Sequence, residues 1–256
     1  MMNSKSACPL DCFDSCVIEY REGVIKADKS DTYTAGYLCP FMNHYEKYER
    51  IEKPSYNGIE ISMDEALEIL ANILRKTDPL KTLYFKGNAN MGVMQNVTSH
   101  LFASLGTVKA DGSICSGAGD AGIEEGRGVN LPLTLEQIAN SEVVVLWGRN
   151  PHTSNSHLLP IIKGKKLIVI DPIKIDAVKS ADLHIQLKPH GDLFLALLIA
   201  RFVIIEGAED KEFLDKYCED HEDFYELTQS LRIKKTVEEI GITLGAIGEF
   251  MSHVKK

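Results

Sequence analysis

Residues 7–16 read Ala-Cys-Pro-Leu-Asp-Cys-Phe-Asp-Ser-Cys, and residues 37–40 answer with Tyr-Leu-Cys-Pro. Two gaps of three residues put the thiols of Cys8, Cys12 and Cys16 on one tight loop. Cys39 returns from a distance and is followed directly by Pro40. Four thiolates converging on one point are the ligand set of an iron–sulfur cubane. A structural zinc ion also takes four thiolates, usually from paired two-residue gaps, and it stands as the alternative. Between the third and fourth cysteines, Val17 to Tyr20 and Val24 to Ala27 flank Arg21-Glu22-Gly23, which predicts a hairpin with a three-residue turn. The first forty-odd residues therefore read as a small β module with metal in place of much of its core.

The rest of the chain narrows the setting. Its 256 residues leave room for larger layers beside such a module. Apolar residues make up 44% and charged residues 25%, which is ordinary for a soluble globular chain. A formal charge of -9 with no basic stripe argues against nucleic acid as a partner. The first ten residues show neither an apolar h-region nor a twin arginine, and four of six cysteines are clustered. Both features predict a cytoplasmic chain whose thiols are reduced and metal-bound. The longest apolar run, Leu193 to Ile205, contains Arg201 and is too short to span a bilayer, so it predicts a buried helix.

Past the polar connector that follows Cys39, strands and helices alternate. Ser62-Met63-Asp64-Glu65 predicts a capping box, opening a helix with Leu67, Leu70, Ile73 and Leu74 on its apolar face. Thr82 to Phe85 is a short apolar strand, residues 87–92 a loop, and a further helix runs to Leu105, stopped by Gly106. The next segment, residues 109–128, is rich in glycine and poor in apolar periodicity, which predicts a long irregular stretch around Cys115. Cys115 reads either as a small buried thiol or as a functional one, since exposed backbone amides stabilise a thiolate. Residues 117–122 match GxGxxG, but no strand precedes them, so the match is weak evidence for a dinucleotide fold. Cys218 lies in a helical run and reads as packing.

Beyond a short helix capped at Thr134, three β-branched runs follow: Val143 to Trp147, Leu167 to Ile170 and Leu183 to Leu187. Continuous runs of this kind predict a parallel sheet covered on both faces. Their carboxyl ends carry Gly148, Arg149 and Asn150, then Asp171, then Gly191 and Asp192. Ligands of doubly wound sheets bind outside such ends. There a carboxylate accepts from ribose or guanine donors, and glycine lets backbone approach phosphate. Turn chemistry alone also explains each residue separately, whereas three such ends in succession favour a nucleotide. The remainder, from Leu193, is mostly helical. The fold class is α/β: a small β-rich module, then layers built on a mainly parallel, dinucleotide-binding-like sheet.

With these residues in hand, the whole chain resembles the N-terminal part of the molybdopterin oxidoreductases that carry bis-molybdopterin guanine dinucleotide. The likeness rests on the four cysteines with Pro40, Gly112-Ser113-Ile114-Cys115, Leu146 to Pro151, Ile170-Asp171-Pro172, Ala181-Asp182 and Pro189-His190-Gly191-Asp192. It implies a [4Fe–4S] cluster on Cys8, Cys12, Cys16 and Cys39. It also implies molybdenum or tungsten ligated by Cys115, and contacts from Asn150, Asp171 and Asp192 to one molybdopterin guanine dinucleotide. The parts it implies are a cluster module over 1–49, the first part of an α/β domain over 50–112 and a pterin-binding domain over 113–256. Three features depart from the pattern. Phe41 stands where relatives often carry Lys or Arg between cluster and pterin. Ser116 stands where formate dehydrogenases carry His. The chain ends before the expected second dinucleotide site. The implied activity is that of an N-terminal oxidoreductase portion that needs further chain for turnover, with an electron-transfer subunit as a further implied partner. The rivals are an electron-transfer or cofactor-carrying module without catalysis, and a zinc-stabilised nucleotide-binding protein.

Overall fold

The computed structural model describes residues 4–10, 12–87, 96–110 and 112–255, and its backbone divides into two units. The first takes the described residues up to Pro132 together with Ser154–His157. The second takes Leu133–Thr153 and the described residues from Leu158 onward.

The first unit opens with an antiparallel sheet, β1 (Ser4–Ala7), β2 (Val17–Arg21) and β3 (Val24–Ala27), in that order. The hairpin turn is tighter than the sequence suggests. Arg21 pairs with Val24, and only Glu22 (φ 54°) and Gly23 (φ 83°) turn the chain. Positive φ at both central positions matches the right-handed strand twist, so a two-residue turn wins. β1, whose sequence Ser-Lys-Ser-Ala lacks a strand pattern, is added by pairing with β2 alone. Its Lys5 ammonium lies 2.6 Å from Asp28, whose other oxygen accepts from the Ser30 N–H and hydroxyl. The Lys5 bond, then the two Ser30 bonds, hold the Asp28 carboxyl well below the usual carboxylate range. A carboxyl lowered on folding stabilises the fold above its unfolded value, about 3.9. That stability is lost as pH falls through the lower folded value. Asp28→Asn is therefore expected to flatten the acid limb of thermal midpoint against pH; an unchanged slope below pH about 4 would refute the assignment.

After β3, α1 (Pro40–Asn43) follows Cys39 directly, then β4 (Ser55–Tyr56) pairs with β5 (Ile59–Glu60). Ser62 caps α2 (Met63–Lys76), accepting the Glu65 N–H at 3.2 Å, which is the Ser62 half of the expected capping box. β6 (Leu83–Tyr84) runs parallel to β7 (Val108–Lys109), and α3 (Val97–Ser104) ends at Gly106, whose φ is 71°. The expected loop over 87–92 lies mostly outside the described residues. On α2, Leu67, Leu70 and Ile73 form the expected apolar face, yet each is about half exposed. The segment around Cys115 corrects the sequence reading: Ser116–Arg127 is a helix, α4, closed by Gly128 in the left-handed region. Its glycines cost helix stability, but Ala118, Ala121, Glu124 and Glu125 favour helix and Ile123 is its only β-branched residue. The GxGxxG residues lie inside this helix and form no phosphate loop.

The second unit carries the parallel sheet. Thr134 and Gln137 exchange capping bonds at the start of α5 (Leu135–Asn140). Strands β8 (Val143–Trp147), β9 (Lys166–Ile170) and β10 (Leu183–Ile185) follow, with α6 (Leu158–Ile162) between the first two. All pairs are parallel, and β9 is central. Alternate residues of β9 feed two separate cores, as burial on both faces requires. Ile168 and Ile170 pack with Leu195, Leu198, Ile247 and Phe250. Leu167 and Val169 pack with Leu146, Leu158 and Ile162. The run from Leu193 lies in α7 (Asp192–Ile205), and α8 (Lys211–Tyr217), α9 (His221–Gln229), α10 (Ile233–Ile240) and α11 (Leu244–Val254) complete the unit. Arg201 reaches from α7 to the carbonyls of Thr228, Gln229 and Leu231, tying down the end of α9. Among the described residues no helix is long and apolar enough to cross a membrane.

Candidate functional site

In the first unit Cys8, Cys12, Cys16 and Cys39 lie near enough for their charges to act on one another. The loop closes on a bond from the Cys8 N–H to the Cys16 carbonyl, 2.7 Å, and the Cys12 N–H donates to the Leu10 carbonyl. Ser15 turns the chain at φ 41°. Cys39 is the N-cap of α1, with Pro40 in the first turn, where the lack of an N–H costs nothing. Cys8 and Cys16 are buried beside Leu38 and Met42, with the Met42 thioether 3.5 Å from the Cys8 sulfur. Sulfur thus forms much of this small core. Burial pushes the Cys16 thiol up to about 12, and the charges of Asp14, Cys8, Cys12 and Cys39 add to it. Burial raises Cys8 too, with contributions from Cys39 and Cys12. Thiols close enough to raise one another ionise together only around a cation. Such a set of thiols could hold a metal or an iron–sulfur cluster.

A second group, missed in the sequence, lies against this loop. Asp14 is buried, and its carboxylate accepts from the Tyr33 hydroxyl at 2.6 Å, from the Asn155 side-chain amide, and from the His157 N–H at 3.2 Å. The His157 ring places Nδ1 2.8 Å from the same carboxylate and 3.8 Å from the Cys16 sulfur, while Nε2 is 3.2 Å from the Thr34 carbonyl. Tyr33 stacks on the ring at 5.1 Å and Tyr37 meets its edge. Burial opposes ionisation of Asp14, but the bonds from Tyr33, His157 and Asn155 together outweigh it and hold the carboxyl below its ordinary value. The Asn155 backbone N–H donates to the Cys12 sulfur at 2.9 Å. Asp14, Cys16 and His157 present ligand atoms within 4.8 Å of one another. The carboxylate oxygens are already occupied by hydrogen bonds, so this triad reads as support for the loop and not as a second metal site. One sequence signal was available: an acid placed between Cys12 and Cys16 of the cysteine loop.

Cys115 also lies in the first unit. It is exposed, forms the N-cap of α4, and donates its N–H to the Ser113 hydroxyl at 3.1 Å after Gly112 turns at φ 77°. Phe41, just past Cys39, is exposed on α1.

The second unit assembles the strand-end residues along the carboxyl edge of its sheet. The Gly148 N–H donates to the Ile170 carbonyl and the Asp171 N–H to the Ile185 carbonyl, which extends the ladder beyond the strands. Gly148 adopts φ 59°. Asn150 shapes the following turn through its side chain, bonded to the Thr153 hydroxyl and the His152 N–H. Asp171 is buried and accepts the Ile173 N–H at 3.0 Å. Gly191 has an ordinary φ but no room: a Cβ there would stand 2.9 Å from the Lys188 carbonyl and 3.1 Å from Ile240 and Leu187. Asp192 opens α7, and its carboxylate accepts the Trp147 indole N–H at 2.7 Å. In the sequence Trp147 reads as the end of a strand and as part of the Leu146 to Pro151 motif, without a role of its own. Asn150, Asp171, Gly191 and Asp192 thus sit together at this edge, where a polar ligand could meet them in exchange for their present bonds.

Comparison with known proteins bears on both units. A family model described as molybdopterin oxidoreductase matches residues 50–252. The chain is 30% identical over 262 residues to the probable oxidoreductase YyaE of Bacillus subtilis, covering 91% of this chain and 38% of that protein. It is 28% identical to the alpha subunit of F420-dependent formate dehydrogenase 2 from Methanococcus maripaludis, over 84% of this chain and 33% of the relative. Its fold is similar to that of acetylene hydratase from Pelobacter acetylenicus, with a TM-score of 0.66 at 21% identity, covering 98% of this chain and 39% of that one. The chain thus spans well under half the length of these relatives.

Proposed function

The chain belongs to the molybdopterin oxidoreductase family, and on that footing we propose that it is the N-terminal portion of a molybdenum or tungsten oxidoreductase carrying a [4Fe–4S] cluster. The closeness of the four thiols carries the reading: Cys8, Cys16 and Cys39 share one small core, and Cys12 lies near enough to act on Cys8 and Cys16 by charge. When bound, the cluster supplies a one-electron relay and the pterin-held metal supplies the redox centre. The four cysteines hold the cluster, while Cys115 offers a soft thiolate to molybdenum or tungsten. Asn150, Asp171 and Asp192 orient the guanine dinucleotide, and Gly148 and Gly191 let backbone approach it. For Asp192 this means exchanging the Trp147 indole for a ligand donor. Ser116 after Cys115 argues against formate as the substrate, because the basic side chain expected there is missing. Phe41 means that no cationic side chain at that position links cluster and pterin.

Within this reading the chain comprises a cluster module over 1–49, the start of an α/β domain over 50–112 and a pterin domain over 113–256. Further polypeptide, in the same chain or a second one, covers the apolar face of α2 and adds the second dinucleotide site. An electron-transfer subunit accepts or supplies electrons at the cluster. The setting is cytoplasmic, and nucleic acid is no partner.

The test is metal and pterin analysis of the full-length protein after anaerobic purification. About four irons per chain, together with molybdenum or tungsten and a pterin dinucleotide, are expected. Zinc without visible colour would replace the cluster reading. Iron without pterin would leave an electron-transfer module.

A further inference from the structure

We propose that the segment Ser154–His157 sets the reduction potential of the cluster, by holding the Asn155 N–H on the Cys12 sulfur while Asp14 locks the segment in place. This rests on the cluster reading above and adds to it a residue-level control of potential.

The segment is distant in sequence from the cysteine loop, yet it is built into the same unit. Its attachment is over-determined. Asp14 accepts from three of its groups: the Asn155 amide, the His157 N–H and the His157 ring. Tyr33 adds a fourth bond to the same carboxylate and stacks on the ring. Asn155 lies at φ 63°, a left-handed conformation that asparagine tolerates better than other side-chain-bearing residues. That backbone turn carries the N–H to within 2.9 Å of the Cys12 sulfur. Ser156, the next residue, has a buried hydroxyl without a hydrogen-bond partner among the described residues. A buried polar atom left open beside a metal-ligand loop fits a site completed by an added group.

The physical consequence has a definite sign. An N–H donated to a ligand sulfur draws electron density from it. This stabilises the more negative, reduced cluster and raises the potential. Removing the donor must lower it.

The experiment compares full-length protein with Asn155→Pro and Asn155→Gly variants, each carrying its cluster, by redox titration of the reduced-cluster electron paramagnetic resonance signal. Proline has no N–H and cannot adopt positive φ, so it removes the donor. About a tenfold fall in the reduction equilibrium is expected, which is about 59 mV for a one-electron couple. Glycine keeps the N–H and adopts positive φ freely, so its midpoint stays near that of the unsubstituted protein. A second measurement stands even if the proline variant loses its cluster. With asparagine labelled by heavy nitrogen, the unsubstituted reduced cluster shows electron–nuclear coupling to one labelled nitrogen, and Asn155→Gly lacks it. A cluster-bearing Asn155→Pro variant with an unchanged midpoint overturns the proposal, as does the absence of that coupling. A full-length protein with no iron–sulfur cluster at all overturns the cluster reading itself.

Discussion

Cys16→Ala is expected to strip the full-length protein of its iron, from about four atoms per chain to fewer than one, with loss of visible absorption. Cys16 is buried in the sulfur-rich core, and its carbonyl accepts the bond that closes the loop on Cys8. A water or hydroxide ligand cannot easily replace a thiolate there, because burial that already raises this thiol to about 12 also disfavours another anion. The control is Cys218→Ala. Cys218 follows α8 in the other unit, and its loss should leave iron content unchanged. Full iron in Cys16→Ala, or equal losses in both variants, would remove the four-cysteine centre from the proposal. Iron determination and the absorption spectrum after anaerobic reconstitution decide between these results.

What the sequence showed, and what it hid, follows from the range of the forces involved. The parallel sheet was legible because burial on both faces demands continuous apolar runs, which β8 and β9 show, while the edge strand β10 reads only as Leu183 and Ile185 around His184. The cysteine loop was legible through spacing alone. Strand ends were legible as polar residues after apolar runs, and the ladder does carry Gly148 and Asp171 along one edge. The helix over Ser116–Arg127 was not, because its glycines hide a helix that tertiary context and its alanines and glutamates support. The apolar stripe of α2 was read correctly as a stripe, but periodicity says nothing about what covers it. It lies half exposed among the described residues. Least visible was the partnership of Asp14 with His157. These residues are separated by 143 positions, and no local pattern encodes a contact of that range. Only the acid's position between Cys12 and Cys16 hinted that it had more to do than solvate a loop.

Asp14→Ala therefore makes the second large prediction, and it needs no metal to be tested. The side chain is 2% exposed and accepts from Tyr33, from Asn155 and twice from His157. Alanine leaves these donors buried with no acceptor. Breaking a buried, hydrogen-bonded charge from one side costs about 3–5 kcal/mol, because the remaining groups lose solvation without compensation. Asn at this position keeps one acceptor oxygen but turns an N–H₂ toward other donors, so a smaller loss of about 1–3 kcal/mol is expected. Urea unfolding of the metal-free protein, followed by near-ultraviolet dichroism of its aromatic residues, gives both values, with an unchanged m if the native state keeps its compactness. The pH dependence has a fixed sign. The native carboxyl lies below its ordinary value, so its stabilisation is complete above about pH 3.9 and fades as pH falls through the folded value. The Asp14→Ala protein should lack that acid-side loss while starting from a lower plateau. A cost below about 1 kcal/mol would mean that water already satisfies these donors. Asp14 would then be a bystander to the cysteine loop and not its anchor.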